Sequence, residues 1–152
     1  MVGDFSVGKT SLTQKFVNNV FSESYLTTVG VKIDTAIVGE TKLIVWDVAG
    51  RDSLSPINVN YLVGAAGIVL VADGCRAETV TGLLDIWQTV KERIGVVPVV
   101  VALNKRDLSA WSVGPEQMTA FKEQGWTVFE TSAKEGEHVT EMFAHLTAQM
   151  VS

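Results

Sequence analysis

A basic surface is the first thing this sequence lacks. Its 152 residues carry 12 Lys and Arg against 17 Asp and Glu, a formal net charge of −5, so no broad cationic footprint for nucleic acid is present. Cysteine is nearly absent. Cys75 stands alone, which excludes an internal disulfide and a cysteine-based zinc cluster and fits a reducing compartment. Long apolar runs are also missing: Val63–Ala72 and Ile94–Leu103 are the longest, about half of what a membrane-spanning helix needs. The chain does not open like a signal peptide, and it shows no repeat, linker or low-complexity segment. These absences predict one soluble, mildly acidic intracellular domain over residues 1–152, able to bury roughly 68–70% of its unfolded surface.

What is present follows an α/β rhythm. Both apolar runs are rich in Val, Ile and Leu without apolar–polar alternation, as parallel strands covered on both faces are. Between them, across Thr79–Ile94, Val80, Leu83, Leu84, Trp87, Val90 and Ile94 recur mostly at helical spacing and complete a βαβ unit. A helix is expected near Pro115–Gln124, with proline early in its first turn, then a strand over Thr127–Thr131. From about His138, a last helix places Val139, Met142, Phe143, Leu146 and Met150 on one face. Earlier, Val31–Val38 and Lys42–Trp46 flank Gly39-Glu40-Thr41, a hairpin signal. The pattern predicts a three-layer α/β fold with one antiparallel pair.

Two segments carry chemistry. Gly3-Asp4-Phe5-Ser6-Val7-Gly8-Lys9-Thr10 fits G-x-x-x-x-G-K-[ST], and helical periodicity (Leu12, Phe16) follows directly. Small residues there let successive backbone N–H groups curl around phosphates, and the helix offers its positive N-terminus. Lys9 can reach the β- and γ-phosphates, while the Thr10 hydroxyl can ligate Mg²⁺. Gly3, Ser6, Val7, Gly8, Lys9, Thr10 and Ser11 are the expected phosphate-binding residues. Asn104-Lys105-Arg106-Asp107 then follows a buried run, at the strand end where open α/β sheets bind ligands. Asp107 can accept two N–H bonds from guanine that adenine cannot supply, and a carboxylate left unpaired makes a strong filter. Thr131-Ser132-Ala133-Lys134 follows the next strand, where a backbone N–H can bond the guanine carbonyl.

With Asp47-Val48-Ala49-Gly50 between these segments, the chain resembles the Ras-like small GTPases. Rab-type members are closest, through Gly3-Asp4, Thr28-Val29-Gly30-Val31 and Trp46-Asp47; such wording also occurs in prokaryotic relatives. The resemblance implies a P-loop NTPase G domain with a six-stranded, mostly parallel sheet, one antiparallel edge strand and a truncated first strand. It implies GTP or GDP and Mg²⁺, with Thr10 and Thr28 on the metal directly and Asp47 through water. Thr28 and the Gly50 N–H would sense the γ-phosphate, making Glu23–Ile33 and Gly50–Tyr61 the switches that meet effector and regulatory proteins. Phe21 would lie edge-on to the guanine and Tyr25 would fold over the phosphates. Asn104, Lys105, Asp107, Ser132, Ala133 and Lys134 would complete the guanine pocket.

The departures bear on chemistry. Arg51 stands where the family usually has a glutamine that orients the attacking water. With five donors and no acceptor it cannot take a hydrogen bond from that water. Its charge can offset charge developing on the phosphoryl group, and an exposed loop arginine is the other reading. Phe5 replaces a glycine common beside the γ-phosphate and would crowd it. Lys9, Thr28, Gly50 and Arg51 are thus the expected catalytic set of a GTP/GDP switch with slow or partner-assisted hydrolysis. A non-hydrolysing nucleotide-bound module is the alternative, and a small-molecule phosphoryl transferase is disfavoured by the guanine-directed Asn104–Asp107. No cysteine near the C-terminus and no glycine at position 2 signals a lipid anchor, so either the GTPase is soluble, with a cytoplasmic location expected, or an anchor lies on residues outside this sequence. Only Met1 and Val2 precede Gly3, which predicts that the natural chain extends upstream. His138, His145 and Cys75 lack metal-ligand spacing, and the four tryptophans are expected to pack.

Overall fold

The computed structural model describes residues 1–4, 6–18, 31–48 and 60–151. Its centre is a pair of valine-rich strands, β4 (Ile68–Asp73) and β5 (Val99–Asn104), in which every residue is buried. They run parallel, with Asp73 opposite Asn104 at their carboxyl ends. β1 (Val2–Gly3) lies on the far side of β4, with Val2 opposite Leu70, and β6 (Thr127–Glu130) lies beside β5. This parallel sheet has the order β1-β4-β5-β6.

β2 (Val31–Val38) and β3 (Thr41–Val48) form an antiparallel pair in unbroken register from Val31↔Val48 to Val38↔Thr41. Gly39, at φ +60°, supplies the left-handed residue that a two-residue hairpin loop demands. Met1 joins this pair to the parallel sheet. Its amino group donates to the Trp46 carbonyl at 3.0 Å, and its carbonyl accepts the Val48 N–H at 3.4 Å. That exchange brings β3 beside the two-residue β1, so the sheet expected with six strands is a four-stranded parallel sheet and a two-stranded antiparallel pair bridged at Met1.

Helices α1 (Lys9–Asn18) and α5 (Val139–Val151) cover one face, burying Leu12, Met142, Phe143 and Leu146 against Val45, Val71 and Val100. Phe16 and Phe143 stack at 4.0 Å and clamp the two helices together. The other face carries α2 (Ala77–Thr81), α3 (Leu83–Ile94) and α4 (Pro115–Glu123), with Val80, Leu83, Trp87, Val90 and Phe121 against Val2, Leu70 and Leu103. Burial of each such large side chain stabilises the fold by about 1.5–3 kcal/mol.

Both apolar runs contribute only their later residues to strands. Val63 is 56% exposed and Val96 79%, in turns where Gly64 and Gly95 adopt positive φ. The expected helix Thr79–Ile94 is interrupted at Gly82, which separates α2 from α3. Among the described residues, no helix is long and apolar enough to cross a membrane.

Candidate functional site

The carboxyl ends of β1, β3, β4, β5 and β6 meet along one edge of the sheet, and the loops leaving them build the site. The first loop runs from Gly3 to Lys9. Ser6 and Gly8 take left-handed backbone conformations at φ +58° and +101°. A Cβ at Gly8 would collide with the Asn104 amide, and one at Gly3 with the Val71 carbonyl, so side chains are barred at both positions. Val7 is fully buried beneath the loop, and Ser11 is half-buried in the first turn of α1.

Lys9 is only 6% exposed, and its ammonium donates to the carbonyls of Gly3 at 3.2 Å and Asp4 at 2.9 Å. Burial lowers its pKa from 10.5 to about 8, opposed by the charges of Asp47 and Asp4. The Thr10 hydroxyl donates to Asp47 Oδ2. Asp47 Oδ1 is buried without a hydrogen-bond partner among the described residues. Burial pushes this carboxyl above the usual carboxylate range, against the Thr10 hydrogen bond and nearby positive charges including Lys9. A buried carboxylate oxygen without a donor is costly, and beside a hydroxyl it offers the hard oxygen ligands that Mg²⁺ takes.

Asn104 connects three loops. Its Nδ2 donates to the Val7 carbonyl at 3.1 Å, and its Oδ1 accepts from Thr131 Oγ1 and the Ala133 N–H, both at 3.3 Å. Lys105, left-handed at φ +69°, donates to the Ser6 carbonyl at 3.0 Å. Asp107 is exposed, with Oδ1 accepting from Ser132 Oγ at 2.8 Å. The N–H expected to meet a guanine carbonyl is otherwise engaged at two positions: Ser132 N–H donates to Glu137 and Ala133 N–H to Asn104. Lys134 is exposed beside them.

The loops are braced from outside. Arg106 sits 4.9 Å over the Trp111 ring, which lies against Gly74, and Ser112 N–H donates to the Gly74 carbonyl at 2.8 Å. Trp87 packs against Trp126 at 5.7 Å as expected, whereas Trp46, 6.4 Å from Tyr61, stays 39% exposed on the hairpin and does not enter the core. His138 bonds the Glu130 carbonyl, His145 lies against Phe129, and no cluster of three or more His, Cys, Asp or Glu side chains is suited to a metal among the described residues.

Sequence reasoning overlooked Asp73. It ends a buried apolar strand just as Asn104 does, and that shared placement is the signal that could have found it. Phe5, Phe21, Tyr25, Thr28, Gly50 and Arg51 lie outside the described residues.

The family model described as Ras family matches residues 1–152. Ras-related protein SEC4 of Saccharomyces cerevisiae is 35% identical over 149 residues, covering 94% of this chain and 69% of SEC4. Ras-related protein Rab-13 of Canis lupus familiaris is 35% identical over 153 residues, covering 96% of this chain and 75% of its own length. Ras-related protein Rab-7L1 of Rattus norvegicus is 31% identical over 166 aligned residues, covering all of this chain and 80% of its own. Similarity of this extent, over a site with a lysine under the phosphate loop and an asparagine tying that loop to the base motif, places the chain in the Ras family, as a Rab-type small GTPase that binds GTP and hydrolyses it.

Proposed function

We propose that this GTPase is a switch of low intrinsic turnover, and that the residues gathered at the sheet edge hold guanine nucleotide and Mg²⁺. The observation that carries the reading is the buried, unpartnered Asp47 Oδ1 beside Thr10, next to a lysine held under the phosphate loop. Lys9 has three N–H donors; in the described structure two serve the Gly3 and Asp4 carbonyls, and phosphate oxygens would take up its donor capacity. Its charge and the loop's backbone N–H groups stabilise negative charge as water attacks the γ-phosphate in line.

Thr10 and Asp47 would hold Mg²⁺, joined by Thr28 on the family resemblance. When bound, the ion neutralises charge on the β- and γ-phosphate oxygens. Asp107, steadied by Ser132, reads the guanine N–H groups, while Asn104 holds the phosphate and base loops in one frame. Thr28 and Gly50 sense the γ-phosphate. Low turnover rests on Arg51, which lacks an acceptor for the attacking water, and on the bulk of Phe5.

Effectors and regulators would dock on the switches and the adjoining hairpin. Ile33, Ile37, Ile44, Trp46 and Tyr61 leave that face apolar and open, Trp46 being 39% exposed and Ile37 68%. The protein would work in the cytoplasm, where its one thiol stays reduced.

Nucleotide identification on the purified protein, followed by single-turnover GTP hydrolysis, tests the reading. Bound guanine nucleotide, slow Mg²⁺-dependent turnover, and faster turnover in Arg51→Gln and Phe5→Gly are expected. If neither substitution speeds hydrolysis, the reasoning from those side chains fails. Bound GTP that is never hydrolysed would reassign the protein as an interaction module.

A further inference from the structure

Asp73 belongs to none of the nucleotide motifs, yet its carboxylate, 3% exposed, stands at the end of β4 beside them. Its Oδ1 accepts the Cys75 N–H at 2.8 Å, and its Oδ2 pairs with Lys105 Nζ at 2.9 Å. That ammonium also donates to the Ser6 carbonyl in the phosphate loop. Lys105 and Ser6 are both non-glycine residues in the left-handed region, a conformation that persists only where surroundings enforce it. One ammonium therefore pins two strained loops together, and one buried carboxylate fixes that ammonium.

The turn bearing Asp73 is itself braced. The Asp73 N–H donates to Thr79 Oγ1 at 2.9 Å, and that hydroxyl contacts the carbonyls of Asp73 and Arg76 at 3.1 and 2.8 Å. Gly74 is tied to Asn104 and Ser112 by backbone hydrogen bonds of 2.9 and 2.8 Å. The carboxylate is thus presented by a rigid turn, as a positioning group must be.

We propose that Asp73 is a positioning residue for guanine-nucleotide retention: it holds the Lys105 ammonium against the Ser6 carbonyl and so keeps the phosphate loop and the base loop in one register. The inference rests on the nucleotide site described above. Asp73 acts through Lys105, and its removal lets the two loops separate before the nucleotide itself loses a contact.

Release of a fluorescent guanosine diphosphate analogue, chased with excess GDP, reads this out in wild type, Asp73→Asn, Lys105→Met and the double variant. Asparagine keeps an acceptor for the Cys75 N–H but discards the charge. With that oxygen engaged, the asparagine NH2 faces the Lys105 ammonium, and losing the charge-assisted contact predicts release about tenfold faster. In the Lys105→Met background the same substitution is expected to change release less than about twofold, because its target is gone. Asp73→Glu, which restores the charge, is expected to recover part of the lost retention. The hydrolysis rate of already bound GTP is expected to move far less than release.

Unchanged release in Asp73→Asn, or equal acceleration in both backgrounds, overturns the proposal. Asp73→Ser provides a second variant; failure of both to fold, judged by near-ultraviolet circular dichroism, assigns Asp73 to the fold and also overturns it. A wild-type protein that binds no guanine nucleotide refutes the nucleotide site itself, a result distinct from either.

Discussion

Gly8→Ala probes a tightly packed junction of the site. Gly8 sits at φ +101°, and an added Cβ would run into Asn104 Nδ2. The left-handed backbone alone costs about 1–2 kcal/mol for a residue with a side chain. To make room, Asn104 must move its amide off the Val7 carbonyl, a 3.1 Å hydrogen bond between a side chain 2% exposed and a residue fully buried. A buried carbonyl left without its donor adds about 1–3 kcal/mol. Together these predict a loss of about 2–5 kcal/mol, or roughly 4–20 °C in Tm for a chain of this size. Urea unfolding of nucleotide-free protein measures it. With Asn104→Ala in the background, the collision vanishes and only the backbone cost of about 1–2 kcal/mol remains. An equal loss in both backgrounds, or a total below about 1 kcal/mol, would refute the steric reasoning.

Three further outcomes are expected. Asp47→Asn is expected to weaken the effect of Mg²⁺ on GDP release by about tenfold to hundredfold, measured with and without a chelator, since on the proposed site the unpartnered carboxylate oxygen would help hold the metal. Lys9 has a folded pKa of about 8, below its ordinary 10.5, so the unfolded chain binds more protons between those values. The burial penalty is therefore full below pH 8, and stability of nucleotide-free protein rises with pH across that window, a rise absent from Lys9→Met melts. Phosphate beside Lys9 restores the charge, and calorimetry in buffers of differing ionisation enthalpy is expected to show proton uptake on nucleotide binding above pH 8. Trp87→Ala, deep in the core against Trp126, costs about 3–5 kcal/mol in unfolding assays while leaving GDP release from the folded protein unchanged.

The hairpin was readable because Gly39-Glu40 separates two β-rich runs, and the structure closes it there. The loops were readable because G-x-x-x-x-G-K-[ST] and N-K-x-D name residues whose spacing is local. Strand starts were not: Val63–Gly67 and Ile94–Pro98 continue the apolar runs, but Gly64 and Gly95 redirect the backbone at positive φ and leave Val63 and Val96 facing solvent. Asp73 was hidden for a related reason. Its partner Lys105 lies just beyond the next strand, and a contact between the ends of two paired strands leaves no spacing signature along the chain. Likewise, nothing in the sequence indicates that the Ala133 N–H is spent on Asn104.

That single asparagine gives the pocket an unusual economy of control. Because one amide group ends in the Val7 carbonyl on one side and the Ala133 N–H on the other, the phosphate loop and the base loop share a single side chain. Moving the phosphate loop away from Asn104 would therefore strain its hydrogen bond to the base loop as well.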